Sequence, residues 1–163
     1  MAKIGIVLGS KSDMPIAEKA IGILQEFSMP FEVRILSAHR CPDEAREFAS
    51  SAREGGFSVL IAFAGMAAHL AGALAANTTL PVIGVPCKGS CFDGMDALLS
   101  TVMMPSGIPV ATVAVNGGAN AALLALQIIG TSDKDIAKAL DAHRQKGKEA
   151  VLAADEEVNN LYK

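Results

Sequence analysis

The 163-residue sequence contains no tryptophan and one tyrosine, and aromatic residues make up only 4% of it. A flavin ring wants an aromatic stacking partner, and the lone Tyr162 stands at the end of the chain, so the composition argues against a flavin carrier. Charge of one sign is also scarce. The net charge is −3, with acids and bases interspersed, so there is no electrostatic footprint for nucleic acid or an anionic membrane. No apolar run approaches the roughly 20 residues that a bilayer span needs. Cysteine is sparse too: three residues and no leader-like segment predict free thiols in a reducing, cytoplasmic setting.

What the chain does have is aliphatic residues, 51% hydrophobic in all, and 15 glycines. An interior of Ala, Val, Ile, Leu and Met lets layers approach closely. The length predicts one domain, residues 1–163, with a substantial core. Short β-branched runs at 3–8, 31–36, 58–63, 82–85 and 110–115 read as buried strands. Helical patterns separate them. The first is capped by Ser12 or Asp13 and buries Ile16, Ala20, Ile23, Leu24 and Phe27; Met29-Pro30 stops it. The second runs from Pro42 to about Arg53 with Ala45, Phe48, Ala49 and Ala52 inward, and Gly55-Gly56 ends it. Further helices are expected at 67–76, between Gly94 and Pro105, and at 119–129. Five strands alternating with helices predict a parallel sheet with right-handed crossovers, a three-layer α/β/α domain.

Ser132 and Asp135 suggest a capping box for a last helix from Asp133 to about Leu161. Such a helix spans about 43 Å, against a radius of gyration near 15 Å for a domain of this size. Its apolar stripe breaks at His143, Arg144 and Gly147 and resumes at Val151, Ala154, Val158 and Leu161, which predicts a kink that turns the second half onto another subunit. His143 is expected at the surface or an interface.

In this architecture all strand-to-helix loops open on one edge, where ligands bind. Ser10–Asp13, Ser37–Arg40, Gly65–Leu70, Pro86–Gly94 and Asn116–Asn120 should therefore converge. The backbone amides of Gly9 and Ser10 at a helix start suit an anion. Arg40 is a permanent cation suited to phosphate, His39 is the kind of side chain whose proton moves near neutral pH, Ser37 can donate or accept, and Asp13 can accept from a ribose diol. Phosphate, ribose and a titrating imidazole together describe a mononucleotide undergoing proton transfer. Cys41, Cys87, Cys91, His39 and His69 could form a metal-ligand set, but Cys-x3-Cys without a second close pair is a poor zinc pattern.

Five blocks carry a more specific signal: Gly9-Ser10-Lys11-Ser12-Asp13, Ser37-Ala38-His39-Arg40, Ala67-Ala68-His69-Leu70, Met104-Pro105-Ser106-Gly107-Ile108-Pro109-Val110 and Asn120-Ala121-Ala122-Leu123-Leu124-Ala125. In this order and spacing they resemble the bacterial 5-(carboxyamino)imidazole ribonucleotide mutase family of purine biosynthesis, over nearly the whole chain. The resemblance implies a flavodoxin-like fold, a homo-octamer whose C-terminal helix packs on a neighbouring subunit, and carboxylate transfer from the exocyclic nitrogen to ring carbon C4 by way of trapped carbon dioxide. It implies no cofactor and no metal. It assigns the substrate phosphate to Ser10, Ser12, Ser37 and Arg40, with Ala38 beside them, and the ribose to Asp13. The backbone from Ala64 to Leu70, including Gly65 and Leu70, would take the carboxylate, with His69 as a pocket wall. His39 would be the proton carrier, in a buried setting that retains carbon dioxide. Arg40, in place of Lys, points to the mutase branch over the one that carboxylates aminoimidazole ribonucleotide directly. Met66 stands where the family usually has Gly, Ala71 where it has Pro, Cys41 where it often has Thr, and Cys87 to Phe92 replace a loop usually free of Cys and Phe.

Overall fold

The computed structural model describes residues 2–89 and 91–163; the Ser90 position of the Cys87 to Phe92 loop lies outside them. Five parallel strands form one sheet in the order β2-β1-β3-β4-β5: β1 (Lys3–Leu8), β2 (Phe31–Ile35), β3 (Phe57–Gly65), β4 (Val82–Cys87) and β5 (Ala111–Thr112). This is the flavodoxin-like order, with the switch point between β1 and β3.

Side-chain alternation along the strands supplies both faces. Ile4, Ile6 and Leu8 of β1 join Val59, Ile61 and Phe63 of β3 under α1 (Met14–Glu26) and α5 (Gly118–Gly130). Val7, Leu60, Ala62 and Val82 point the other way, onto α2 (Pro42–Ser51) and α3 (Leu70–Ala75). The helix α4 (Met95–Val102) lies on β4 and contacts α3. A Cβ on Gly118 would come within 2.3 Å of the Ile16 carbonyl oxygen, so the close approach of α1 and α5 requires a glycine there. The aliphatic composition makes that layer spacing possible.

Three elements differ from the expected boundaries. The strand β3 continues through Ala64 and Gly65, and Met66 then adopts a left-handed backbone (φ 55°), with tight turns from Ala68 N–H to Met66 O and His69 N–H to Ala67 O. The following helix therefore starts at Leu70 rather than Ala67. The strand β4 runs past Pro86, because β5 pairs only alongside Ile83 and Gly84 and leaves no partner there for a proline to fail. The expected fifth strand, 110–115, shrinks to the two residues that pair with Ile83 and Gly84 of β4; beyond it the chain turns at Asn116, φ 59°.

The last helix, α6 (Lys134–Leu161), is capped by Asp133, whose carboxylate accepts from the amides of Asp135 and Ile136. Ser132 instead donates back to Ile129 O, so the expected Ser132 box does not form. The helix is also unbroken through Gly147, without the expected interruption. Leu140 is buried against α5, and His143 is half-buried, its ring 5.5 Å from that of Phe27 and its Nδ1 3.5 Å from the Glu26 carboxylate. From Arg144 onward every residue is exposed. The break in the apolar stripe marks where the helix leaves its own domain.

Candidate active site

The loops at the carboxyl ends of β1 to β4 enclose a cleft of about 630 Å³, in the range of small-molecule sites. All ten residues expected from the sequence line it: Ser10, Ser12, Asp13, Ser37, Ala38, His39, Arg40, Gly65, His69 and Leu70. The Asn116–Asn120 loop does not, because β5 lies one strand beyond and ends early.

The first wall is a capped turn. Lys11–Asp13 form a single 3-10 turn in which the Ser10 hydroxyl accepts from Ser12 N–H at 3.3 Å, while Ser10 N–H donates to an Asp13 carboxylate oxygen at 3.0 Å. The Ser12 hydroxyl also donates to Ser10 Oγ, at 3.0 Å. The expected Gly9–Ser10 amide pair is therefore already engaged, since Gly9 N–H donates to Phe63 O. At this wall, the two hydroxyls are the polar groups left to face the cleft. Asp13 is 7% exposed, and burial raises its carboxyl above the ordinary 3.8, with the Ser10 amide and the Cys87 thiol opposing.

The second wall is the β2 exit. Ser37 Oγ accepts from the Arg40 amide at 3.2 Å and from its Nε at 3.4 Å, and an Arg40 Nη2 donates to Gly9 O at 3.4 Å. The guanidinium thus ties the β2 loop to the end of β1 while remaining exposed. Cys41 is structural: it sits at the start of α2, its sulfur accepts Ser37 N–H at 3.0 Å, and its thiol donates to Ser37 O at 3.3 Å. A thiol thus closes this turn on both sides, as donor and as acceptor. His39 is exposed in the single chain, not buried as expected, because no other element among the described residues covers the β2 exit.

The far end of the cleft is built by Ala64, Gly65, Met66, Ala67, His69 and Leu70 with Cys87, Lys88 and Gly89. Met66 is 65% exposed on the rim and holds a left-handed backbone, at a cost of about 1 kcal/mol for a residue with a Cβ. A glycine would take that conformation without the cost. A Cβ on Gly72 would lie 2.6 Å from His69 Cε1, so that glycine gives the imidazole its seat. Cys87 forms the floor at 2% exposure; burial, reinforced by the Asp13 charge, pushes its thiol up from 9.0 to about 12, so it is a neutral donor and not a nucleophile. Among the described residues, no three of His, Cys, Asp and Glu come together to hold a metal. Cys41 is held in its turn, and Cys91 is exposed.

Cys87, Lys88 and Gly89 come from the Pro86–Gly94 loop that was expected at this edge, although nothing in the sequence assigned Lys88 and Gly89 a role of their own. Their signal was positional, since they follow directly on the apolar run of β4 at the edge where every other site loop opens.

Sheet order and cleft define a flavodoxin-like α/β protein with its site at the carboxyl edge of the strands. The chain belongs to the AIR carboxylase family, whose model matches residues 3–150. It is 51% identical over 160 residues to an N5-carboxyaminoimidazole ribonucleotide mutase of Methanocaldococcus jannaschii, covering 98% of this chain and 99% of that one. A Bacillus subtilis protein of the same name is 48% identical over 95% of this chain and 97% of its own. Among solved structures, Treponema denticola PurE superposes with a TM-score of 0.87 at 29% identity, over 96% of this chain and 98% of that one.

Proposed function

We propose that this chain is a 5-(carboxyamino)imidazole ribonucleotide mutase, converting its substrate to 4-carboxy-5-aminoimidazole ribonucleotide in purine biosynthesis. The observation that carries the reading is the meeting, in one cleft, of Ser10, Ser12, Ser37 and Arg40 with Asp13 at one end and His39 beside them. Hydroxyls and a guanidinium suit a phosphate, and a carboxylate suits a ribose diol. At the other end Ala64, Gly65, Met66, Ala67 and Leu70 present small and apolar surface, suited to holding carbon dioxide away from water.

His39 is the proton carrier. The carbamate C–N bond breaks, carbon dioxide leaves, and the imidazolium gives its proton to the exocyclic nitrogen. The ring carbon C4 then attacks the trapped carbon dioxide, and the neutral imidazole takes the C4 proton. Atoms and charge balance, and the imidazole returns to its starting state. The chemistry calls on no cofactor or metal.

The exposure of His39 in one chain supports an assembly in which a neighbour closes the cleft, since released carbon dioxide would otherwise escape. An octamer, in which the exposed half of α6 packs on an adjacent subunit, meets that need and covers Val151, Leu152, Val158 and Leu161. No helix among the described residues is long and apolar enough to cross a membrane, in keeping with a cytoplasmic enzyme. The test is turnover of synthetic 5-(carboxyamino)imidazole ribonucleotide, followed by the absorbance of the C4-carboxylated product, with chelator present and bicarbonate omitted. Conversion is expected. Product formed only from aminoimidazole ribonucleotide and added carbon dioxide would identify the direct carboxylase instead.

A further inference from the structure

Lys88 lines the cleft and has no role in the reading above. It follows Cys87, which pairs in register with Gly65, so its backbone lies beside the Gly65–Met66 end, away from the phosphate hydroxyls. Three backbone positions in left-handed conformations surround it. Asn116 (φ 59°) uses its side-chain oxygen to accept Lys88 N–H at 2.8 Å, and Asp93 (φ 54°) pairs with Lys88 Nζ at 2.9 Å. Gly94 (φ 89°) packs so closely that a Cβ there would lie 3.4 Å from Lys88 Cα and 2.7 Å from Val115. Asn and Asp are the non-glycine residues that enter this region most readily, and both turn a side-chain oxygen onto Lys88. The ion pair itself lies mostly in water and contributes little to stability. Stability alone therefore does not account for the construction around this lysine.

The spacing of charges gives it a purpose. The Arg40 guanidinium lies against Gly9 O, at the end of β1, and Lys88 leaves the end of β4. Two strand spacings separate β1 from β4, about 10 Å. The substrate carries two anionic groups, a phosphate and a carboxylate, at opposite ends of a ribonucleotide. With phosphate at the Arg40 end, the carboxylate reaches the Lys88 end.

We propose that Lys88 binds the transferring carboxylate of the substrate, and that Asp93 holds the ammonium ready until that carboxylate replaces it. This inference rests on the mutase reading. An ammonium there stabilises the carboxylate on nitrogen before release and on C4 after capture, and it discriminates carboxylated from uncarboxylated nucleotide.

The experiment is calorimetric titration of the full chain with two nucleotides, 4-carboxy-5-aminoimidazole ribonucleotide and 5-aminoimidazole ribonucleotide, for wild type, Lys88→Met, Lys88→Arg and Asp93→Asn. Lys88→Met should weaken the carboxylated nucleotide about tenfold or more, the scale of one charge-assisted hydrogen bond, and leave the uncarboxylated one within about twofold. Lys88→Arg should restore most of the loss. Asp93→Asn should tighten the carboxylated nucleotide by freeing the ammonium, a gain that a merely structural lysine would not produce. Equal weakening of both nucleotides would move Lys88 to the phosphate and overturn the proposal, and unchanged binding of both would remove it from the site. A wild-type chain that bound neither would overturn the mutase reading along with this one.

Discussion

Gly72→Ala separates the seating of His69 from the stability of the fold. The added Cβ would lie 2.6 Å from His69 Cε1, 2.9 Å from its Nδ1 and 3.1 Å from Met104 Sδ. Carbon atoms in contact sit about 3.5 Å apart or more, so the ring must swing by about 1 Å into the cleft. Its side chain is exposed and free to do so, at about 0.5–1.5 kcal/mol for leaving its rotamer. Alanine within α3 gains about 1 kcal/mol over glycine, so folding stability should be nearly unchanged. A displacement of 1 Å in a positioning group can cost up to about 100-fold in rate; for a pocket wall that touches the substrate, about tenfold in kcat/KM is expected, 1.4 kcal/mol of transition-state stabilisation. The assay is steady-state turnover beside a thermal melt of the same preparation. Unchanged turnover with an unchanged Tm would refute the role given to His69. A fall in Tm of more than about 5 °C would refute the claim that the ring yields, since that corresponds to more than 1 kcal/mol at this chain length.

Three further outcomes are expected. His39→Asn should lower turnover by about 10²–10⁴-fold, the range for a general acid–base group, while calorimetry finds nucleotide affinity within a few-fold of wild type. The Cys87 thiol titrates near 9.0 when unfolded and at about 12 when folded, so the unfolded state loses its proton first. Its contribution to stability is constant below about pH 9 and falls from there to about pH 12 by up to 1.4 kcal/mol per pH unit; urea denaturation across that window should show a smaller slope for Cys87→Val than for wild type. Val151→Asp with Val158→Asp should give a smaller species in light scattering with an unchanged circular dichroism spectrum, because both side chains lie on the exposed half of α6.

Most of the architecture was legible because it rests on local patterns. Alternating apolar runs such as Lys3–Leu8 and helical stripes such as Ala45, Phe48, Ala49 and Ala52 carry their burial in their own sequence. The end of the sheet at β5 was not legible: Val110 to Val115 reads as a full strand, but pairing with β4 is limited to Ile83 and Gly84, which leaves Ala111–Thr112. The Met66 turn was hidden for a similar reason, since nothing in Ala64-Gly65-Met66-Ala67 announces that the methionine, rather than the glycine beside it, takes the positive φ. The ten expected cleft residues converged because each follows a strand end, and the sheet itself brings those ends together. Lys88 escaped because its significance lies in Asn116, Asp93 and Gly94 around it, a tertiary arrangement with no sequence period.

The cleft draws its lining from the exits of four strands, between Gly9 and Gly89, and none of these loops forms a site alone. Occupancy and folding are therefore linked equilibria. A nucleotide has nowhere to bind until β1 to β4 are paired, so each bound molecule draws population away from the unfolded ensemble. At a free concentration of 100 times Kd the gain is about 2.7 kcal/mol, several degrees in Tm for a chain of this length. The melting temperature of the protein thus becomes a meter of ligand affinity that needs no turnover at all, and it ranks candidate nucleotides even for variants in which the chemistry has been removed.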